Sequence, residues 1–199
     1  NPRWDYLVTP LGREYKNTKK IANQEFTINT SIEDASFVNR MGIVNAIPIG
    51  GEIPVGSIVV VHHNVFRTYL DMKGKKRKSN EYFRDGQYLV HPDKIYMYDN
   101  GDGWKTTKEY CFVSPLDYIQ DGEIYRSDKK KEEHVGLIKH SSVYTEGTKI
   151  GFTRNSEYEF VIDDEKIYRM KNSFPWNFNA ESDAFHFHAI DVLFVFFAK

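Results

Sequence analysis

The chain has 199 residues, of which 40% are hydrophobic and 15% aromatic, and its formal net charge is -1. A chain of this size can bury one sizeable core or two small ones, and its near-neutral charge excludes a protein that is basic throughout. The single cysteine, Cys111, excludes an internal disulfide framework and a cysteine-rich zinc site. We therefore expect a protein of a reducing compartment, the cytoplasm.

Short runs rich in Val, Ile, Tyr and Phe, separated by Gly, Pro, Asn and Asp, predict an all-β protein. In the first half these runs are YLVTPL (6–11), MGIVNAI (41–47), VGSIVVVHHN (55–64) and YLVHPDKIYMY (88–98). A long loop separates the first two of them. The initial NPRWDYLVTPLG lacks the basic-then-apolar pattern of a signal peptide, so we expect no export.

The second half repeats these blocks in the same order, as CFVSPL (111–116), VGLIKHS followed by EGTKIGFTRN (135–155), and EFVIDDEKIYRM (159–170). Three matches in order indicate two copies of one β unit, and we place the domains at 1–109 and 110–199. The third blocks share Lys-Ile-Tyr, which aligns Tyr96 with Tyr168. Units this short, with connections that are not helical, predict small barrels or sandwiches.

Two adjacent histidines, His62 and His63, follow an apolar run. Consecutive residues of a strand face opposite sides of the sheet, so these two cannot ligate one ion unless the strand breaks there. Alignment of the copies at their glycines places both histidines on residues of another type and pairs Val59 with Ile150 and Val61 with Phe152. This predicts an inward-facing Val59 and Val61, with the histidines as a structural strand end rather than a metal site.

The other candidates for chemistry also have simpler structural interpretations. His186 and His188 would share one face of a strand, which suits zinc or copper, but alternation with phenylalanine fits a half-buried strand equally well. Asp163, Asp164 and Glu165 are typical of a turn. Because nucleophile and phosphate-loop motifs are missing from the sequence, we predict no enzyme activity, no cofactor and no metal.

The only dense basic run of the sequence consists of Lys73, Lys75, Lys76, Arg77 and Lys78. It is a candidate patch for an anionic partner, and with the flanking Tyr69, Tyr82 and Phe83 it would also suit stacked bases. A solvated hairpin tip is the simpler interpretation, and the neutral total charge argues against nucleic acid. The terminal AIDVLFVFFA (189–198) is too short to span a bilayer, so we expect a buried strand and no membrane association.

Four segments resemble co-chaperonins of the GroES type. DYLVTPLG (5–12) looks like their first strand, D-R-V-L-V-x-P, and NRMGIVNAIP (39–48) resembles their G-x-V-x-A-V strand. IPVGSIVVVHHN (53–64) resembles their V-G-D-x-V strand, and ESDAFHFHAIDVLFVF (181–196) is similar to their terminal E-S-D-I-L-A pattern. The duplication looks like the tandem co-chaperonins of chloroplasts. The first copy has a long insertion between its second and third blocks, which contains the basic run 73–78, and this insertion looks like that of phage-encoded relatives.

The resemblance implies two tandem small GroES-like β-barrels in a homo-oligomeric ring that caps a chaperonin. In this family a mobile loop after the first strand docks through a short tripeptide, usually of three aliphatic residues after glycines. Here the loop is 12–40 and the matching tripeptide is Phe26, Thr27 and Ile28; the second copy has Ile124-Tyr125 at the corresponding place. The alternative is a phage virion component, of head or tail, built on the same fold. The expected location is the host cytoplasm in the first case and the virion in the second.

The same barrel forms the catalytic domain of zinc alcohol dehydrogenases. Those enzymes need cysteine and histidine ligands for zinc and a separate nucleotide-binding domain. One cysteine, and no Gly-x-Gly-x-x-Gly after a strand, argue against that activity here.

Overall fold

A computed structural model of the chain describes residues 2–16, 18–21, 24–27, 37–117, 131–153, 158–162, 165–173 and 176–177. Most of these residues lie in β-strands, and none of them lies in an α-helix, so the predicted all-β class is confirmed. The chain divides into two compact units, Asn1–Thr107 and Lys108–Lys199. The division that the sequence repeat predicts, after residue 109, falls beside this one.

Unit 1 contains a seven-stranded sheet in the order β11-β10-β5-β4-β1-β9-β8 and two separate hairpins, β2–β3 and β6–β7. Every neighbouring pair is antiparallel. The strands are β1 (Tyr6–Pro10), β2 (Thr18–Ile21), β3 (Gln24–Thr27), β4 (Met41–Ala46), β5 (Ile58–Val61), β6 (Thr68–Leu70), β7 (Lys76–Lys78), β8 (Tyr82–Arg84), β9 (Gln87–Val90), β10 (Ile95–Asp99) and β11 (Trp104–Thr106).

Unit 2 contains a six-stranded sheet in the order β15-β16-β12-β13-β14-β17. Its strands are β12 (Tyr110–Asp117), β13 (Lys131–Ser141), β14 (Lys149–Gly151), β15 (Tyr158–Ile162), β16 (Glu165–Lys171) and β17 (Trp176–Asn177). The unit 1 sheet, followed from its β8 edge to β10, has the same strand order. Its strands β8, β9, β1, β4, β5 and β10 are equivalent to β15, β16, β12, β13, β14 and β17. The two units are therefore two copies of one topology, as the sequence repeat predicts.

The repeat also extends to the register of the strand pairs. Both β1–β4 and β12–β13 shift register at the same point, between Leu7 and Val8 in one unit and between Phe112 and Val113 in the other. The equivalent pairs are Val8–Val44 and Val113–Ile138, Thr9–Ile43 and Ser114–Leu137, and Pro10–Gly42 and Pro115–Gly136.

The third sequence block is aligned differently by the structure. Val8 pairs with Tyr88 of β9, and the equivalent Val113 pairs with Tyr168 of β16. The predicted equivalence of Tyr96 with Tyr168 is therefore wrong, because Tyr96 lies in β10, which pairs with β5 instead. A short alternating run of aromatic and aliphatic residues fits any half-buried strand, and only the register distinguishes the choices.

The core of each unit contains the residues that the alignment predicts to face inward. Val59 and Val61 are fully buried in unit 1, and Ile150 and Phe152 are buried in unit 2. The prediction for these positions is confirmed. Val60, on the other face of β5, is also buried at 1% exposure, so this strand is covered on both sides.

The connection from β9 to β10 requires the unit 1 sheet to curl. Four ladders separate these strands in the sheet order, which is about 19 Å in a flat sheet at about 4.8 Å per strand. The chain from Val90 to Ile95 reaches about 17 Å at most when fully extended, and here it contains the 3-10 turn Pro92–Lys94. Val90 and Ile95 lie in one hydrophobic core, as a curled sheet requires. The pairings of the described strands leave β8 and β11 as edges, so the sheet is open.

Candidate partner-binding elements

The two ends of loop 12–40 are held together by Asn39, which is 1% exposed. Its Nδ2 donates to the carbonyl oxygens of Leu11 at 2.8 Å and Arg13 at 3.0 Å, and its Oδ1 accepts from the N–H of Met41 at 3.0 Å. The backbone N–H of Asn39 also donates to the carbonyl of Glu14 at 2.8 Å. A buried amide with these bonds ties the neck of the loop to the sheet.

Beyond its neck, loop 12–40 contains the hairpin β2–β3, in which Lys19 lies opposite Phe26. The side chain of Phe26 is 48% exposed, and Thr27 is exposed as well. The hairpin thus presents an aromatic side chain to solvent at the predicted docking position. Ile28, the third residue of the predicted tripeptide, lies outside the described residues, as do Ile124 and Tyr125.

The predicted anionic-partner patch lies on the second hairpin, β6–β7, and its tip. All three residues of β7 are exposed, as are Lys73 and Lys75 at the tip. Large apolar side chains are exposed on the same hairpin: Tyr69 is 39% exposed, Leu70 is 44% exposed, and Met72 is fully exposed. The basic run is therefore a hairpin with a mixed cationic and apolar surface.

The tip of this hairpin is organised by Asp71, which the sequence analysis does not identify. Its Oδ1 accepts from the N–H groups of Lys73 and Lys75, each at 2.9 Å, and its Oδ2 lies 3.0 Å from Nε of Arg77. Asp99 closes the β10–β11 turn with the same pattern of bonds, to Gly101 and Gly103. An aspartate followed by a glycine-containing turn is the signal that could have found both.

The hydrogen bonds to Asp71 predict a pH-dependent tip. The hydrogen bond from the N–H of Lys75 is the largest of the effects that hold the pKa of this carboxyl below its usual value. Desolvation opposes it less strongly, and the bonds from Arg77 and from the N–H of Lys73 lower the pKa further. The carboxylate thus stabilises the tip fully above the pKa of the unfolded chain, and this stabilisation is lost as the pH falls through the lower native pKa. We expect the amide exchange of Lys73 and Lys75, measured by NMR, to accelerate in acid relative to other turns. Asp71→Asn should remove this dependence; an unchanged profile in the variant would contradict the assignment.

The base of loop 12–40 and the β6–β7 hairpin share a root, formed by Glu14 and Tyr15. The O–H of Tyr15 donates to the carbonyl of Thr68 at 3.1 Å, and its oxygen accepts from the N–H of Thr68 at 2.8 Å. Glu14 forms an ion pair with Lys78 and accepts from the O–H of the buried Tyr88 at 2.8 Å. Residues at the base of loop 12–40 thus hold the first and last residues of the β6–β7 hairpin.

Tyr88 anchors this root in the core. Burial, and then the neighbouring Glu14, raise the pKa of Tyr88, so that its hydroxyl stays protonated and donates to the carboxylate. Its ring packs edge-on against Phe66 with centroids 4.9 Å apart. Sequence reasoning missed Glu14 and Tyr15 because their partners lie more than fifty residues away in the chain.

His62 and His63 lie at a strand end, because β5 ends at Val61. The Nδ1 of His62 accepts from the backbone N–H of Asn64 at 3.1 Å, and the backbone N–H of His62 donates to the carbonyl of Lys94 at 2.9 Å. The two imidazole rings stack with centroids 4.1 Å apart. These contacts form a turn. In the described part of the chain, no group of three or more His, Cys, Asp and Glu side chains is placed to hold a metal ion.

Two further side chains among the described residues, Cys111 and Glu165, have structural contacts. Cys111 is fully buried, and burial raises the pKa of its thiol to about 12, so it stays protonated at neutral pH. Glu165 forms an ion pair with Lys139. His186, His188, Asp163 and Asp164 lie outside the ranges that the structure describes.

A search for membrane-spanning helices and three comparisons with known proteins complete the description. Over the same described ranges, no helix has the length and apolar character needed to cross a membrane. Nothing matches this chain among protein-family profiles, curated proteins or solved structures. The arrangement of its own residues therefore carries the functional argument.

Proposed function

We propose that this chain is a non-enzymatic, co-chaperonin-like binding protein with two tandem GroES-like barrels. It assembles as a homo-oligomeric ring or cap and engages a chaperonin, or another protein assembly, through loop 12–40. The observation that carries this proposal is the hairpin β2–β3, which exposes Phe26 from a loop whose neck is clasped by the buried Asn39.

The duplicated sheet supports the barrel part of the proposal. Three of the four segments that resemble the GroES type coincide with β1, β4 and β5, the three adjacent central strands of unit 1. The fourth, 181–196, lies outside the described residues. Unit 2 repeats their pairing with β12, β13 and β14. The short connection between β9 and β10 favours a sheet that curls toward closure, as a small barrel requires.

The mechanism would be binding alone. A half-exposed phenylalanine that becomes fully buried in a partner's apolar pocket contributes on the order of 1 to 2 kcal/mol per site. In a ring, several weak contacts act together, so binding is firm as a whole and reversible at each site. The clasped neck lowers the entropy cost, because less of the loop has to become ordered on docking.

Phe26→Ala tests this role. We expect the variant to bind a purified chaperonin at least about fivefold more weakly per site, because the partner's pocket is left unfilled. The measurement is ATP-dependent co-elution, followed by titration calorimetry. Phe83→Ala is a matched control, since Phe83 is also 48% exposed but lies on β8. Absence of any ATP-dependent complex with the unmodified chain would refute the chaperonin proposal.

A virion structural or assembly role is the second candidate. The exposed cationic and apolar hairpin β6–β7 favours it, because the resemblance assigns that insertion no part in chaperonin docking. Thr27, in the centre of the tripeptide, also differs from the aliphatic residues that the family prefers. Stoichiometric amounts of the protein in purified particles would support this candidate, and its absence from particles would remove it.

A further inference from the structure

The segment 67–84 differs in charge from the rest of the chain. It contains seven basic residues against only Asp71 and Glu81, whereas the whole chain has a net charge of -1. The remainder of the protein is therefore acidic, and the positive potential is concentrated on one hairpin and its flanks. The basic residues are Arg67, Lys73, Lys75, Lys76, Arg77, Lys78 and Arg84.

The β6–β7 hairpin is not needed to complete the fold. Unit 2 builds the equivalent sheet, and its described residues contain no counterpart of this hairpin between β14 and β15. Solubility alone would account for exposed lysines, but it does not account for Tyr69, Leu70 and Met72 exposed beside them. Exposed aromatic residues and methionine are typical of a protein interface.

We propose that the hairpin 68–78 binds an acidic polypeptide surface, and that it does so beside loop 12–40, as the second half of one docking site. The base of the loop supports this arrangement, since Glu14 pairs with Lys78 and Tyr15 bonds to Thr68. A partner of loop 12–40 would then combine an apolar pocket for Phe26 with acidic residues for the hairpin. This inference depends on the proposed function only for the role of the loop.

Several contacts favour an acidic polypeptide over a nucleic acid. The ring of Tyr82 packs edge-on against Tyr88 at 5.4 Å, and the guanidinium of Arg84 lies 4.9 Å from the centroid of Phe83, so two of the three rings that could stack on bases already have a partner, and Tyr69 is the third. Arg77 is bonded to Asp71. The donors that remain at the tip and on β7 are the compact ammonium groups of lysines, which suit single carboxylates.

Lys78 differs from the other lysines of the hairpin. It is paired with Glu14, so it belongs to the root of the hairpin. Lys73, Lys75 and Lys76 lie further out, at the tip and the start of β7, and we assign the acidic contact to these three.

The test measures binding of the full chain to fluorescent poly-L-glutamate by anisotropy, at several salt concentrations. The variant carries Lys73→Gln, Lys75→Gln and Lys76→Gln together, and the control carries Lys105→Gln, Lys149→Gln and Lys171→Gln, an equal change of charge elsewhere. We expect the hairpin variant to bind about tenfold more weakly with a shallower salt dependence, and the control to stay within about twofold. Equal losses in both variants, or no binding by the unmodified chain, would overturn the proposal.

An oligothymidylate of equal charge distinguishes the nucleic-acid alternative. Tighter binding of the oligonucleotide than of poly-L-glutamate would overturn the assignment to acidic protein. Hydrogen exchange of β9 should be unchanged in the hairpin variant, which shows that unit 1 remains folded. In the unmodified chain, poly-L-glutamate should slow exchange in both 68–78 and 13–16, and protection of neither segment would also overturn it. If the chain forms no ATP-dependent complex with a chaperonin, the proposed function is refuted, but the binding of poly-L-glutamate by the hairpin is not affected.

Discussion

Asn39→Ala is expected to destabilise unit 1 by about 2 to 3 kcal/mol. The substitution removes two donors and one acceptor from a buried position, and it leaves the carbonyls of Leu11 and Arg13 and the N–H of Met41 without their partner. It should also release the neck of loop 12–40. Urea denaturation measures the first effect, and faster amide exchange in residues 11–16 and 37–41 measures the second.

The control for Asn39→Ala is Asn80→Ala, because Asn80 is exposed at the start of the turn that leads into β8. A surface change of this kind should alter the free energy of unfolding by no more than about 0.5 kcal/mol. Equal effects of the two substitutions would show that the bonds of Asn39 do not hold the neck. If Asn39→Ala also weakens partner binding while Asn80→Ala does not, the clasp contributes to docking.

Gly42→Ala and Gly136→Ala are each expected to destabilise their own unit by about 2 to 3 kcal/mol. A Cβ added at Gly42 would lie 2.5 Å from Cγ1 of Val8 and 2.9 Å from the carbonyl oxygen of Thr9. At Gly136 it would lie closer still to Cγ1 of Val113 and 2.7 Å from the carbonyl oxygen of Ser114. These contacts are shorter than van der Waals separation, and the carbonyls belong to a paired strand that cannot easily move.

Hydrogen exchange resolves the two glycine effects, because β4 reports on unit 1 and β13 on unit 2. Combining Gly42→Ala with Val8→Ala removes the closest clashing methyl group, so the double variant should lose less stability than the sum of the two single variants. An additive result would show that Val8 is not the obstacle. Asn45→Ala, in the same strand, should have little effect because Asn45 is exposed.

Composition and pattern alone predict the fold class and the duplication. Hydrophobic runs with a period of two, separated by turn residues, indicate strands wherever they occur. The first two repeat blocks also align the two copies correctly, because Pro10 pairs with Gly42 in one unit and Pro115 with Gly136 in the other. Each glycine leaves room for a side chain of the facing strand, Val8 or Val113. A residue with a side chain at either position would clash there, so the glycines favour this register.

The third repeat block shows where pattern is insufficient. Lys-Ile-Tyr occurs identically at 94–96 and 166–168, but it leads into β10, which pairs with β5 and β11, in unit 1, whereas in unit 2 it lies in β16, which pairs with β12 and β15. The same three residues suit both strands, because each strand buries apolar side chains. Which strand a run pairs with depends on the rest of the sheet, and this information is not local.

The candidate sites also fall into two groups, those that the sequence predicts and those that depend on the tertiary structure. The sequence by itself determined the all-β class, the two copies, the inward Val59 and Val61, and the position of the basic run. Only the tertiary structure decided that His62 and His63 form a turn, that Asp71 organises the basic tip, and that Glu14 and Tyr15 join the base of loop 12–40 to the distant β6–β7 hairpin. Side-chain periodicity is a property of neighbouring residues, so a short stretch of sequence is enough to detect it. The shared root forms only when folding brings distant polar groups within hydrogen-bonding distance, so the local sequence does not predict it.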